Sequence, residues 1–441
     1  MNLAVDERRW ARIGSTILVL GVVLGAVLVG VLVWAPEVPL RQYFWLERKL
    51  DVQILRGAEP LLIRLGVLRA ARVRVRGGYT MFLDPRDLVP LSLLRSGEWQ
   101  PEVWESLEPA LPKGAVFLDV GAHIGTFTLK ASRQVGVEGK AIAFEPNPET
   151  ARLLRDNVSA NHMDNVTVEE IACTDQEQNL TLYAAPALNT GASSLSETNA
   201  AYGAGPAPRP FQVRGRRIDD VVRELNLGRV DAIKIDVEGA ELQVLKGAAQ
   251  TLKRFHPKIV LEIVGTQLAS FGTTPEEVAR LIKSAGYTMG APIGPGGTDW
   301  QWTIAKSTVK ISDLSAAGQL LRGFGGIAAN TWRWTAGKFA VALRPPEGAS
   351  EHGATLVAKF VFPGVAFQHL KQVRLVARVG GRELPAATFS TEGDHEYRAA
   401  VPAGSLKNDP VEIDFSLDQT FRDNNEELGL IAMSIGLEPS P

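Results

Sequence analysis

Cysteine is almost missing from this chain. Cys173 is the only one in 441 residues, so no intramolecular disulfide can form and nothing points to an oxidising compartment. One thiol and six histidines give no clustered Cys/His spacing of a zinc site. A charge surplus is missing too. Lys and Arg number 47 against 49 Asp and Glu, a net charge of -2, which gives no sign of a nucleic-acid binder. The Gly-x-Gly-x-x-Gly of dinucleotide binders is absent, which argues against a nucleotide-dependent oxidoreductase. What is present is ordinary globular material, 45% hydrophobic and 22% charged, in a chain with room for two or three domains.

The most informative stretch is Val116-Phe-Leu-Asp-Val-Gly-Ala-His-Ile-Gly125. An apolar run ends in an acid, a turn with two glycines follows, and a helical pattern starts at Thr126. Glycines between a strand and a helix let the backbone approach a ligand closely. The next strand, residues 140–144, ends in Glu145, an acid placed to accept both hydroxyls of a ribose. Together they read as a nucleoside pocket without a pyrophosphate, which fits S-adenosylmethionine. A second strand ends in Asp236-Val-Glu238-Gly, and a third, residues 258–263, ends around Glu262. Ligands of open α/β sheets sit at the carboxyl ends of strands, so Asp119, Glu145, Asp236 and Glu262 are expected on one edge.

These residues carry a resemblance. Asp119-Val-Gly-Ala-His-Ile-Gly125, Ala143-Phe-Glu-Pro-Asn-Pro148, Asn157, Lys234-Ile-Asp-Val-Glu-Gly-Ala-Glu241 and Lys246-Gly-Ala248 are similar to the FkbM-type methyltransferases. The similarity runs from about residue 79 to 307 and takes in Met81-Phe-Leu-Asp-Pro-Arg-Asp87, Gly97-Glu-Trp99 and the serine-containing Gly191-Ala-Ser-Ser-Leu195. It implies an S-adenosylmethionine-dependent O-methyltransferase, in a family many of whose members act on sugar or polyketide hydroxyls. It implies a class I methyltransferase fold, an α/β Rossmann-like seven-stranded sheet ending in an antiparallel pair of strands. Expected around the cofactor are Asp119, Gly121, His123, Gly125, Glu145 on the ribose, Asn157, and Ala172 and Asp175 near adenine. Two residues depart from the pattern: His123 replaces the usual asparagine, and Gln100 a common glutamate.

Outside this core, residues 13–35 carry no charge, follow Arg8, Arg9 and Arg12, and end near Trp34. Their length suits a transmembrane helix. The expectation is a single-pass membrane anchor after a short tail, residues 1–12, with the catalytic domain in the cytoplasm, where S-adenosylmethionine is made. Residues 36–72 mix aromatic, aliphatic and basic residues. They read either as amphipathic helices on the membrane or as helices packed on the catalytic domain. The methyltransferase domain is expected over 73–307, with the Gly-, Ala-, Ser- and Pro-rich stretch 186–210 as a lid. A linker is expected over 308–330. Short apolar runs with turn residues between them then suggest an all-β sandwich over 331–441. Its Trp332 and Trp334 read either as sugar-stacking or as core residues.

Methyl transfer to a hydroxyl needs alignment and removal of one proton. Asp236 is the leading candidate base, with Glu238 and Glu262 behind it. The competing reading has Asp236 capping a helix or orienting Lys234. A divalent metal on Asp236 and Glu262 has no fixed-spacing motif behind it. Cys173 reads as packing, since no histidine partner is identifiable. The expected function is O-methylation of a sugar hydroxyl in a glycan or glycolipid. The alternative is a scaffold or glycan-binding protein whose methyltransferase fold has lost activity.

Overall fold

The computed structural model describes residues 41–45, 53–201, 206–294, 296–312, 318–328, 332–423 and 426–440. Tertiary contacts divide the chain into two units, Met1–Arg216 with Asp236–Ala240, and Arg217–Ile235 with Glu241–Pro441.

The first unit opens with the antiparallel pair β1 (Ala71–Arg74) and β2 (Thr80–Leu83). Parallel strands β3 (Val116–Val120), β4 (Lys140–Phe144) and β5 (Val166–Glu169) follow. Every residue of β3 is buried, as befits a parallel strand covered on both faces. The helix Thr126–Val135 starts at Gly125, whose φ of 92° suits glycine. The helix Pro148–Ala160 has proline in its first turn, and the Asn147 side chain caps it by accepting from Glu149 N–H. A smaller sheet of β6 (Ala172–Cys173), β7 (Gln178–Ala184) and β8 (Arg209–Arg216) completes the unit.

Part of the stretch before residue 73 belongs to this unit's core. Tyr43 and Phe44 are buried, meet edge to face at 5.1 Å, and share a hydrophobic cluster with Leu68, Val73, Tyr79, Ile124 and Leu129. Of the two readings of 36–72, packing on the catalytic domain is the one these two aromatic residues follow.

In the second unit β9 (Ala232–Ile235) pairs in parallel with β10 (Lys258–Glu262). Then β12 (Asp299–Ile304) runs antiparallel to β10 and pairs antiparallel with β11 (Tyr287–Ile293). Three strands in one unit and four in the other account for the seven expected of a Rossmann-like core. Helix Pro275–Ser284 begins with a complete capping box between Thr274 and Glu277. Asp219 is buried and accepts from the Thr251 N–H and Oγ1 at 2.8 Å and from the Gln250 N–H at 3.1 Å, so a charge inside the unit is fully engaged.

The C-terminal region is β-rich, while the expected sandwich of two sheets is not supported. Ten of its strands join one sheet, and Phe421–Asp423 pairs with Glu426–Leu428 apart from it. The long strand β15 (Trp332–Leu343) pairs with β14 (Leu320–Ala328), β16 (Val411–Leu417) and β17 (Ile431–Pro439). A single apolar cluster lies on the buried faces. The expected linker 308–330 contains β13 (Thr308–Lys310) and β14. Trp334 packs against the apolar cluster and meets Trp332 and Phe421, each at 5.7 Å, so its contacts are those of a core residue.

The membrane expectation is also corrected. Among the described residues no helix is long and apolar enough to cross a membrane. The longest, Pro148–Ala160, has 13 residues, against about 20 for a span. The single-pass anchor and the localisation drawn from it are therefore not supported. The expected span, residues 13–35, lies outside the described residues.

Candidate active site

The site is built on the carboxyl ends of β3 and β4 and on the segment Asp236–Ala240, all in the first unit. Asp236 N–H donates to Val120 O at 3.0 Å, which fixes this segment beside the end of β3. Gly121, at φ 80°, lies against it. A Cβ there would stand 2.9 Å from the Asp236 carbonyl carbon and nearer still to its oxygen. Glycine is required on two counts, conformation and space. Gly125 is similar: a Cβ there would run into Leu154.

Asp119 is buried, and its Oδ2 accepts from Thr128 Oγ1 at 2.5 Å. Glu145 is buried as well. Its Oε2 accepts the His123 N–H at 2.8 Å and its Oε1 the Asn147 N–H at 2.9 Å. Each oxygen keeps a further lone pair, so the carboxylate staples two loops and can still accept two hydroxyls. Burial pushes the Glu145 carboxyl up to about 7. The two backbone N–H bonds pull it down, and the nearby Asp119 and Asp236 push it further up.

That shift has a consequence for folding. The folded carboxyl holds its proton from its ordinary 4.5 up to about 7, while the unfolded chain has released it. The native state therefore binds more protons in this window, and Glu145 costs stability as pH rises through it. The loss from about pH 4.5 to about pH 7 is expected to be roughly 3 kcal/mol. Urea unfolding across this range should show a decline that Glu145→Gln lacks.

His123 sits at φ 50° in the glycine turn, and its Nε2 lies 2.7 Å from Thr190 Oγ1. Thr190 Oγ1 donates to Asp87 Oδ2, and Thr190 N–H to Asp87 Oδ1 at 3.3 Å. Asn157, expected at the cofactor, is engaged elsewhere. Its Oδ1 accepts from Phe82 N–H at 2.7 Å and its Nδ2 donates to Ile124 O at 2.9 Å, so it ties the turn to β2. Ala172 is buried in β6 and Asp175 is exposed. Burial pushes the Cys173 thiol far up, against a nucleophilic role.

Asp236 and Glu238 are half-buried, with carboxylate oxygens within 4.8 Å of each other. Glu238 has φ 56°, and its carbonyl accepts from Ser194 Oγ at 2.8 Å and Asn199 Nδ2 at 2.9 Å. The described part of the expected lid is thus fastened to the acidic turn. Glu262 closes β10 in the second unit, opposite Asp299 in the register with β12. Sequence reasoning assigned no role to Asp87, Thr190, Ser194 or Asn199. The first lies in the 81–87 motif and Ser194 in the 191–195 motif, which were the only signals pointing to them.

A glycine turn between a buried acid and a helix, with a second acid closing the next strand, defines a Rossmann-like methyltransferase core. Residues 119–289 match the model of the methyltransferase FkbM domain. Methyltransferase sdnD of Sordaria araneosa is 30% identical over 201 residues, 40% of this chain and 75% of that protein. The chain belongs to the FkbM methyltransferase family. Hexuronic acid methyltransferase AglP of Haloferax volcanii is 22% identical over 233 residues, 53% of this chain and 88% of that protein. AMB antimetabolite synthetase AmbE of Pseudomonas aeruginosa is 28% identical over 216 residues, 42% of this chain, and the chain spans only 10% of that protein. The cofactor of such a methyltransferase domain is S-adenosylmethionine. The residues present fit it: the Glu145 carboxylate, with one backbone bond on each oxygen, has acceptor capacity for the two hydroxyls of a ribose.

Proposed function

We propose that this chain methylates a hydroxyl of a sugar in a glycan, through a domain spanning 73–307. The geometry of Glu145 carries the cofactor half of the reading. The hexuronic acid methyltransferase among the relatives supports the acceptor half. In this reading Glu145 holds the ribose, and the turn from Asp119 to Gly125 offers its backbone to the cofactor. S-adenosylmethionine, when bound, supplies an electrophilic methyl group on a sulfonium. Asp236 takes the proton of the acceptor hydroxyl, with Glu238 beside it. Ser194 and Asn199 fix the turn that carries Glu238.

Titration calorimetry tests the cofactor assignment. The wild-type chain should bind S-adenosylmethionine, and Glu145→Ala should weaken binding by about 1.5–3 kcal/mol through loss of charge-assisted hydrogen bonds. Unchanged affinity would remove Glu145 from the ribose. Mass spectrometry of glycans from cells with and without the gene tests the acceptor. The expected difference is one methylene in mass. Transfer confined to proteins or small phenols would sink the glycan assignment and leave the methyltransferase standing.

A further inference from the structure

We propose that Asp87 and Thr190 are positioning residues of the cofactor site, which fix the orientation and tautomer of His123 through a hydrogen-bonded chain. The proposal rests on the methyltransferase reading above and deepens it. Three distant segments meet here: Asp87 precedes the helix Leu88–Ser96, His123 lies in the glycine turn, and Thr190 opens the short turn Thr190–Ala192.

The direction of each hydrogen bond follows from what each group can give. The Thr190 hydroxyl donates to Asp87 Oδ2. That hydroxyl has one hydrogen. Towards His123 it can only accept, so Nε2 carries the proton across the 2.7 Å contact. In the neutral ring Nδ1 is then an acceptor. His123 Nε2 and Asp87 Oδ2 are 3.9 Å apart, too far for a direct hydrogen bond, so the hydroxyl is the necessary link.

The same residue anchors the cofactor site through its backbone. His123 N–H binds Glu145 Oε2 at 2.8 Å, in a left-handed conformation, φ 50°, that a non-glycine residue holds only when its surroundings impose it. The ring is held on one side and the main chain on the other. Asp87 itself is buried, and burying a carboxylate is costly unless its hydrogen bonds are made. A chain of this kind matches the way a buried acid orients an imidazole in catalytic and metal sites.

The test uses the full chain labelled with ¹⁵N in its histidine rings. The His123 signal is identified by its loss in His123→Asn. It should report the Nε2-protonated tautomer in the wild type. In Asp87→Asn the new amide can donate to Thr190, which frees the hydroxyl to donate to the ring, so the signal should move to the Nδ1-protonated form. Thr190→Val keeps the shape and removes the hydroxyl, whereas Thr190→Ser keeps the hydroxyl and loses the methyl group. Calorimetry should find S-adenosylmethionine bound about tenfold more weakly by Thr190→Val and nearly as in the wild type by Thr190→Ser. A purely packing role would reverse that order. An Nδ1-protonated wild type, or a Thr190→Val chain that binds as tightly as Thr190→Ser, would overturn the proposal. A wild-type chain that binds no S-adenosylmethionine would instead bring down the underlying reading, and the proposal with it.

Discussion

Asp236→Asn should leave S-adenosylmethionine affinity nearly unchanged and lower turnover by roughly 10²–10⁴-fold, the usual contribution of a positioned general base. The substitution keeps the size of the side chain. The main-chain bond from Asp236 N–H to Val120 O does not involve the carboxylate and survives. What disappears is the group assigned to accept the hydroxyl proton. Single-turnover kinetics with calorimetry on the same preparation separates the two effects. Near-normal turnover would move the role to Glu238.

Gly121→Ala should damage folding and cofactor binding together. Its φ of 80° disfavours any side chain, and the added methyl would be driven into the Asp236 carbonyl. Neither neighbour can yield cheaply, since Asp236 N–H is bonded to Val120 and Gly121 N–H to Phe144 O at 3.0 Å. Overpacking costs about 1–3 kcal/mol and a strained backbone about 1–3 more. A loss of about 3 kcal/mol or more in urea unfolding is expected, with little S-adenosylmethionine binding left. Gly114, at φ 79° with nothing near its missing side chain, is the control: alanine there meets the conformational penalty alone. Equal losses at the two positions would show that the close approach to Asp236 does not matter.

The parts of the site that could be read from the sequence are those with local signals. Gly121 and Gly125 mark a turn because only glycine tolerates their backbone and space. Glu145 is marked by its place at the end of an apolar strand. Asn157 shows the limit of such reading. In the sequence it is a polar residue in a family motif, and only the fold reveals that its amide spans from Phe82 to Ile124. The link from Asp87 to Thr190 crosses 103 residues and has no periodic trace. In the C-terminal region, alternation along Val373–Val379 shows that one face is buried, but strand partners are set by long-range pairing. Hence the central place of β15 in one sheet, beside β14, β16 and β17, leaves no trace in the sequence. Residues 13–35 were read from composition alone, which reports an apolar run and not what contains it.

Tyr43 and Phe44 bear on how this enzyme can be handled. Both fill the cluster that also holds Ile124 and Leu129, directly behind the turn assigned to the cofactor. A boundary drawn from motifs, near residue 73, would cut away these two rings and open a hole under the glycine turn. The smallest piece worth expressing therefore begins at or before Arg41. Where to trim this domain is a question of which side chains its interior needs, and those lie about 35 residues ahead of the first recognisable motif.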